Sequence, residues 1–447
     1  MRRHLRLLLI AILIVGCAGC ATTSRFKIRP NNYASLSKDQ AISGELTLER
    51  VQREFGQGNL STVSRLVDIV TVDTPDDQAK LHLYRGTIYS YQNRPQHALQ
   101  ELLACESLLH PAPENADNRN FLYERMGYVY RDLGDIDNMI ACFEKRMAGK
   151  ECSFFRTEIE NAKCHRKIEI ENPTGATELP IGSYFGFPIV KGFINGLEVN
   201  FFLDTGAAFC ALSSDVADKL GVKPMDRSVS LYGAVGGCEG FEAIVDPLVL
   251  GNAVIKNMPF FVIDKKEMNP TLGPFPLFKI DAIIGIPLLK EFDVTISLKN
   301  KTLTLKTPDV QCEPSVYDGN VFLVADSFFF SMLVNHQEVL MHADTCALGK
   351  GYLDSKLVES LEEEGADTCI RIRPFTIGAG NNGKGKWLFR AKYVRGATLS
   401  LPGYDIAPIA LFADGSDVLC DGLIGKTLLK NFDMHIDFQK MQLTFTN

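Results

Sequence analysis

The chain repeats part of itself in strict register. Asp204-Thr205 returns as Asp344-Thr345, and Asn195, Glu198 and Val199 return as Asn335, Glu338 and Val339, each pair at the same offset of 140 residues. "AIIGIPLLKEFDVTI" (Ala282–Ile296) returns as "GLIGKTLLKNFDMHI" (Gly422–Ile436), so Gly285 and Gly425 keep the same offset. Chance tripeptides do not hold one register over such a distance, and a duplicated lobe is the economical explanation. Whatever this region folds into must therefore be a structure that one sequence grammar can specify twice.

That grammar is β-rich. Each copy has a hairpin, a strand ending in Asp-Thr-x-Ala, a short helical stretch, a Gly-rich segment, an apolar run leading to Gly, and a closing pair of strands. Asn195-Gly196 between β-branched and aromatic runs is a strong hairpin signal. The helical stretch is "SSDVADKLG" in the first copy, with Ser213 or Ser214 as cap and Gly221 as stop, and "LDSKLVESLEEEG" in the second, closed by Gly365.

"NFFLDTGAAF" (Asn200–Phe209) drives an apolar run straight into Asp204. An unpaired buried carboxylate is costly, so Asp204 is either placed for chemistry or is a turn residue after a strand. The duplicated frame resembles the pepsin and retropepsin family of aspartic peptidases, through Asp204-Thr205-Gly206 with Ile283-Ile284-Gly285 and through Asp344-Thr345 with Leu423-Ile424-Gly425. The lobes are short and alike, closer to a fused retroviral-type dimer than to pepsin. The resemblance covers roughly residues 181 to 447. It implies a mostly-β bilobal acid-protease fold, an apolar-apolar-Gly segment under each Asp loop, and a peptide or protein substrate cut by a water held between Asp204 and Asp344. It gives Thr205 and Thr345 a bracing role between the loops, with Gly206, Gly285 and Gly425 as loop support, and it implies no cofactor and no metal.

The chemistry of such a pair follows from elementary electrostatics. Two carboxylates ~4 Å apart repel by roughly 4 kcal/mol at an effective dielectric of ~20, or about 3 pK units. They therefore share one proton and titrate as a unit, which supplies a base and an acid together. The second copy departs from the pattern, since Cys346 stands where Gly206 stands in the first. Three outcomes stay open: retained activity, a catalytically inactive peptide-binding scaffold, or a peptidase active only as a homodimer of first lobes.

"SLYGAVGGCEGFEA" (Ser230–Ala243) and "GAGNNGKGK" (Gly378–Lys386) occupy the position of Gly-rich flaps over a cleft, with Tyr232, Gly236, Gly237 and Trp387 as candidate substrate contacts. The second also satisfies the dinucleotide fingerprint and most of a phosphate loop. Both of those need a following helix, and "WLFRAKYV" alternates like a strand. No His-Glu-x-x-His, Gly-x-Ser-x-Gly or matched Cys–His arrangement is present, which argues against zinc, serine and cysteine hydrolases.

Residues 41–165 read as helical. "KLHLYRGTIYSYQNRPQHALQELLACESLL" and "FLYERMGYVYRDLGDIDNMIACFEKRM" resemble the tetratricopeptide repeat, with Gly86 and Gly127 at the helix contact and Tyr89 and Tyr130 three residues on. The step between the copies is longer than the usual ~34 residues. Such an all-α repeat domain carries no chemistry and would bind a protein partner or position substrate. Upstream, "MRRHLRLLLIAILIVGCAGC" has a basic head, an apolar run too short to span a bilayer comfortably, and an Ile14-Val15-Gly16-Cys17 stretch that looks like a bacterial lipobox. Cys17 is the expected lipidation site and Cys20 the weaker rival. The chain is then organised as a signal peptide (1–16), a polar tether (17–40), a helical domain (41–165) and two lobes (181–310 and 311–447), anchored by lipid in the bacterial cell envelope. With 447 residues it has room for these domains, and a net charge of −7 without a long basic stripe argues against a nucleic-acid surface.

Overall fold

The computed structural model describes residues 27–31, 45–110, 115–148, 152–163, 166–225, 228–233, 236–269, 271–272, 275–276, 279–308, 319–347, 349–376, 386–414 and 420–447. The signal segment and Cys17 lie outside them. Among the described residues no helix is long and apolar enough to cross a membrane.

After one short strand, seven helices follow among the described residues: α1 (Leu48–Gly56), α2 (Leu60–Ile69), α3 (Pro75–Tyr91), α4 (Pro95–Leu108), α5 (Ala116–Asp132), α6 (Ile136–Met147) and α7 (Ser153–Ala162). Their starts are written in the sequence. The Thr47, Thr74 and Asp135 side chains accept hydrogen bonds from N–H groups in the first turns of α1, α3 and α6, and Pro75 opens α3 where its missing N–H costs nothing. Helices α3 and α4 pack closely, as do α5 and α6. A Cβ on Gly86 would lie 2.8 Å from Leu102 Cγ, and one on Gly127 would lie 2.2 Å from Phe143 Cε1, so both contacts require glycine.

The two lobes follow, each with the same crossing of strands. In the first, the hairpin Phe187–Ile194/Leu197–Leu203 turns through Asn195 (φ 50°) and Gly196 (φ 76°). Strand Ala282–Ile284 then slots between Leu197–Leu203, to which it is parallel, and Ala211–Ser213, to which it is antiparallel. In the second, Gly422–Gly425 slots in the same way between Gln337–Asp344 and Gly351–Asp354. Helix Ser214–Leu220 ends at Gly221 in the left-handed region (φ 69°).

A five-stranded sheet joins the lobes, and its register reveals their symmetry. Asp293–Ser297 of the first lobe runs antiparallel to Asp433–Asp437 of the second, with Thr295 opposite His435. Thr295 and His435 are counterparts in the sequence repeat, so a pseudo-twofold axis passes between them. One continuous core spans the junction, including Val294, Ile296, Phe328, Phe330, Met434 and Ile436.

Two segments depart from the sequence reading. Within the stretch expected to be a tether, Lys27–Pro30 forms an edge strand on the second lobe, pairing with Tyr404–Ala407, and Asn31 hydrogen-bonds Leu401 O at 3.1 Å and Asp405 Oδ1 at 2.8 Å. Ala176–Pro180, upstream of the expected lobe boundary, is an outer strand of the joining sheet, paired with Thr302–Lys306. Both runs are too short and too polar to announce themselves; their partners decide them.

The helical region is fused to the second lobe and not strung beside it. Leu48, Val51, Leu60, Val63, Leu66 and Val67 share a buried cluster with Phe322, Phe329, Leu340 and Cys420. Arg65 pairs with Glu338 at 2.6 Å, and Asn93 donates to Phe438 O at 2.9 Å. At the lobe junction Asp326 sits between Arg131 of α5 (3.2 Å) and Lys290 of the first lobe (2.8 Å). Burial would raise the Asp326 carboxyl, but Arg131 and then Lys290 outweigh it and hold it well below the usual carboxylate range. The stabilisation is therefore complete above the ordinary aspartate range and lost as pH falls through the lowered value. Asp326→Ala, which leaves two part-buried cations side by side, is expected to cost about 2–4 kcal/mol, read from the urea midpoint at pH 7. An unchanged midpoint would show that this triad contributes nothing.

Candidate active site

Both Asp-Thr loops close over the joining axis. Strand Leu197–Leu203 ends at Asp204, whose N–H donates to Ile284 O at 3.0 Å, and strand Gln337–Asp344 carries Asp344 to the same place from the other lobe. Thr205 and Thr345 interlock. Each backbone N–H donates to the other's hydroxyl at 3.1 Å. Thr205 Oγ1 donates to Ala343 O and Thr345 Oγ1 to Leu203 O, both at 2.5 Å. Both side chains are 0% exposed, so no water substitutes for these bonds. The reciprocity is that of a twofold axis, the same one that passes between Thr295 and His435.

Gly285 and Gly425 underlie the loops. A Cβ on Gly285 would lie 2.3 Å from Phe209 O, and one on Gly425 2.6 Å from Gly349 O, so backbone closeness excludes any side chain. The residue after each glycine ties its loop down: Ile286 N–H donates to Ala207 O at 2.9 Å and Lys426 N–H to Ala347 O at 2.7 Å. Gly206 faces the opposite carboxyl, since a Cβ there would come 2.7 Å from Asp344 Cγ.

The carboxyls of Asp204 and Asp344 lie together over Gly206, whose N–H donates to Asp204 Oδ1 at 3.0 Å and on which a Cβ would meet Asp344 Cγ at 2.7 Å, and each is partly exposed at the floor between the lobes. Burial, then the charge of Asp344, pushes Asp204 well above the usual carboxylate range. Burial also raises Asp344, opposed by the N–H groups of Cys346 and Ala347. A pair of carboxyls that resists double ionisation holds one proton between them, which equips it to take a proton from a water and give one to a carbonyl oxygen.

The hairpin Ser228–Gly233/Gly236–Val245 flanks this floor. Tyr232 pairs with Gly237 and Gly233 with Gly236, and Leu231 and Cys238 share an apolar cluster with Phe202, Ala207, Phe209 and Cys346. In the second lobe the arms Asp367–Thr376 and Lys386–Leu401 pair from Thr376↔Lys386 inward, and Trp387 lies opposite Phe375. The strand beginning at Lys386 removes the dinucleotide and phosphate-loop readings, which need a helix there. The hairpin tips 234–235 and 377–385, and the side chains of Tyr232 and Trp387, lie outside the described residues. His342 packs against Phe329 with the rings tilted (centroids 4.3 Å apart), and burial lowers it to about 4.

Lys426 was not singled out from sequence. Its ammonium bonds the carbonyl of Gly186, tying a first-lobe hairpin to the second lobe beneath Cys346. The signal was present in the repeat, where Ile286 is replaced by Lys426 directly after the matched glycine.

Residues 190–288 match the aspartyl protease family model. The aspartyl protease segment begins in the hairpin before Asp204 and ends in helix Ile286–Leu289, so it takes in Asp204-Thr205-Gly206 and Gly285, while Asp344 and its loop lie beyond it. No curated protein matches the chain. Among solved structures, a retropepsin-like aspartic protease from Rickettsia conorii is 21% identical over 32% of this chain and 96% of its own, with a TM-score of 0.21. The structure titled edgp is 11% identical over 61% of this chain and 94% of its own, with a TM-score of 0.36.

Proposed function

We propose that the chain is an aspartic-type endopeptidase whose paired Asp204 and Asp344 activate one water against a peptide bond. The observation that carries this reading is the juxtaposition of the two carboxyls over Gly206, formed within a single chain and held by the reciprocal Thr205–Thr345 bonds. In the reaction the ionised carboxylate takes a proton from water as its oxygen bonds the carbonyl carbon. The protonated carboxyl gives its proton to the carbonyl oxygen. Collapse of the gem-diol then breaks the C–N bond, with a proton delivered to the departing nitrogen.

An extended peptide or protein segment lies between the lobes beneath the two hairpins, and the repeat-like helices α3–α6 recruit substrate or a partner protein. Lipidation at Cys17 holds the enzyme in the bacterial envelope. The test is incubation of the full chain with a peptide library from pH 3 to 7. We expect cleavage that a statine-type transition-state mimic blocks while the protein stays monomeric. Absence of any cleavage across that range would leave a peptide-binding scaffold as the function.

A further inference from the structure

The two hairpins that flank the floor occupy matched places in their lobes and differ in charge. The strands behind them fix the match. In the first lobe Phe241 stands opposite both Ser228 and Val262, and Val262 lies beside Leu212. In the second, Tyr393 stands opposite both Cys369 and Phe412, and Phe412 lies beside Tyr352, the counterpart of Leu212 at the repeat offset of 140. Counting outward from these rungs, Arg371 takes the place of Ser230 and Arg373 that of Tyr232. The last rung of the first hairpin is Gly233–Gly236, whereas the second runs on to Thr376–Lys386, two rungs further. Outward of Tyr393 its arms pair with each other and, among the described residues, with no third strand, so they form a projecting ribbon.

The projecting part, residues 370–376 and 386–391, contains Arg371, Arg373, Lys386 and Arg390 and no acidic residue. The matching part of the first hairpin, residues 228–233 and 236–241, contains Glu239 and no basic residue. Nearer its base the second hairpin is balanced, since Lys392 bonds Glu362 and Arg395 bonds Asp367 at 2.7 Å. Arg371 is exposed and lies over the Tyr393 ring, 5.6 Å from its centroid.

We propose that this basic ribbon selects substrates by acidic side chains on the second-lobe side of the bond that is cut, an inference that rests on the peptidase reading above. A segment held between the lobes passes beneath both hairpins, so its two halves meet fields of opposite sign. Counter-ions confine each field to about 8 Å at physiological ionic strength, which limits selection to the residues directly under the ribbon. Acidic residues there gain charge-assisted contacts, and basic ones are repelled. The charge of the floor carboxyls bears on both halves alike and does not cancel the difference. Shielding an open strand edge from other chains requires charge of either sign. It does not account for four cations in one hairpin and a lone carboxylate in its counterpart.

The experiment compares peptides of one sequence with glutamate, glutamine or lysine a few residues from the cut bond, on each side in turn, at about pH 6, where glutamate is ionised. For the full chain, kcat/KM should be about tenfold higher with glutamate than with lysine on one side only, the yield of about two exposed ion pairs. The ratio should shrink toward unity as salt is raised to about 0.5 M. Arg371→Gln/Arg373→Gln should bring it near unity in a chain whose near-ultraviolet circular dichroism is unchanged. Binding gives a readout independent of turnover. By fluorescence anisotropy, the Asp204→Asn chain should hold the glutamate peptide more tightly than the lysine one, and phosphatidylglycerol vesicles should not displace it. Equal cleavage of all the peptides, the same preference on both sides, a preference untouched by the double substitution, or displacement by the vesicles would overturn the proposal. If no peptide is cut, the peptidase reading falls, and the binding comparison alone decides whether the ribbon recognises acidic segments.

Discussion

Asp344→Asn is expected to abolish peptide cleavage as completely as Asp204→Asn, each lowering kcat/KM by about 1,000-fold. Either amide leaves a single carboxyl, which cannot be base and acid in one step. The equality matters, because a peptidase built from two first lobes of separate chains would lose activity with Asp204→Asn and keep it with Asp344→Asn. The same variants carry a stability signature of opposite sign. Burial and mutual repulsion raise the carboxyls in the folded state, so the native pair binds more protons than the unfolded chain. Its contribution to stability is fully present below the ordinary aspartate range and is lost as pH rises through the raised values. An amide in place of the first-lobe carboxyl keeps the acceptor for Gly206 N–H and adds no charge. Asp204→Asn should therefore unfold at a higher temperature than wild type at pH 7 and at the same temperature at pH 3. A variant that is inactive and also less stable at pH 7 would point to a structural role for Asp204.

Thr205→Val should destabilise the joined lobes by about 2–5 kcal/mol. Valine matches threonine in shape, so packing is kept and hydrogen bonding alone is removed. The lost hydroxyl leaves the Thr345 N–H and the Ala343 carbonyl without partners at a site closed to water, and each such orphan costs about 1–3 kcal/mol. The twofold relation predicts the same loss for Thr345→Val, and Thr205→Ser should recover most of it. Urea unfolding followed by near-ultraviolet circular dichroism reads these differences. Equal midpoints for wild type and Thr205→Val would show that the interlock does not hold the lobes together.

Much of this site was legible because duplication doubles the signal. One Asp-Thr-Gly says little, but Asp204 and Asp344, with Gly285 and Gly425 at one offset, define two copies of a crossing that only backbone-close glycines permit. The roles of α1–α3 were harder to read. Leu48, Val51, Val63 and Leu66 form apolar helical faces, yet periodicity does not say what covers a face, and here Phe322, Phe329 and Leu340 of a sheet far along the chain do so. The strands Lys27–Pro30 and Ala176–Pro180 lacked any local pattern. Substitutions between the copies, Gly206 to Cys346 and Ile286 to Lys426, were visible in the sequence, but their meaning depended on knowing that the first borders the carboxyl pair and that the second ties down its loop through Ala207 and Ala347.

The strand Lys27–Pro30 also bears on how this protein behaves among its own copies. It lies along Tyr404–Ala407, at a margin of the second lobe's sheet that would otherwise present a row of unpaired N–H and C=O groups beside buried Ile406. An open margin of that kind is a template for another chain's strand. Trimming the protein to its helical and β-rich bodies, which looks harmless from the polar character of residues 21–40, would strip this guard and invite self-association into aggregates.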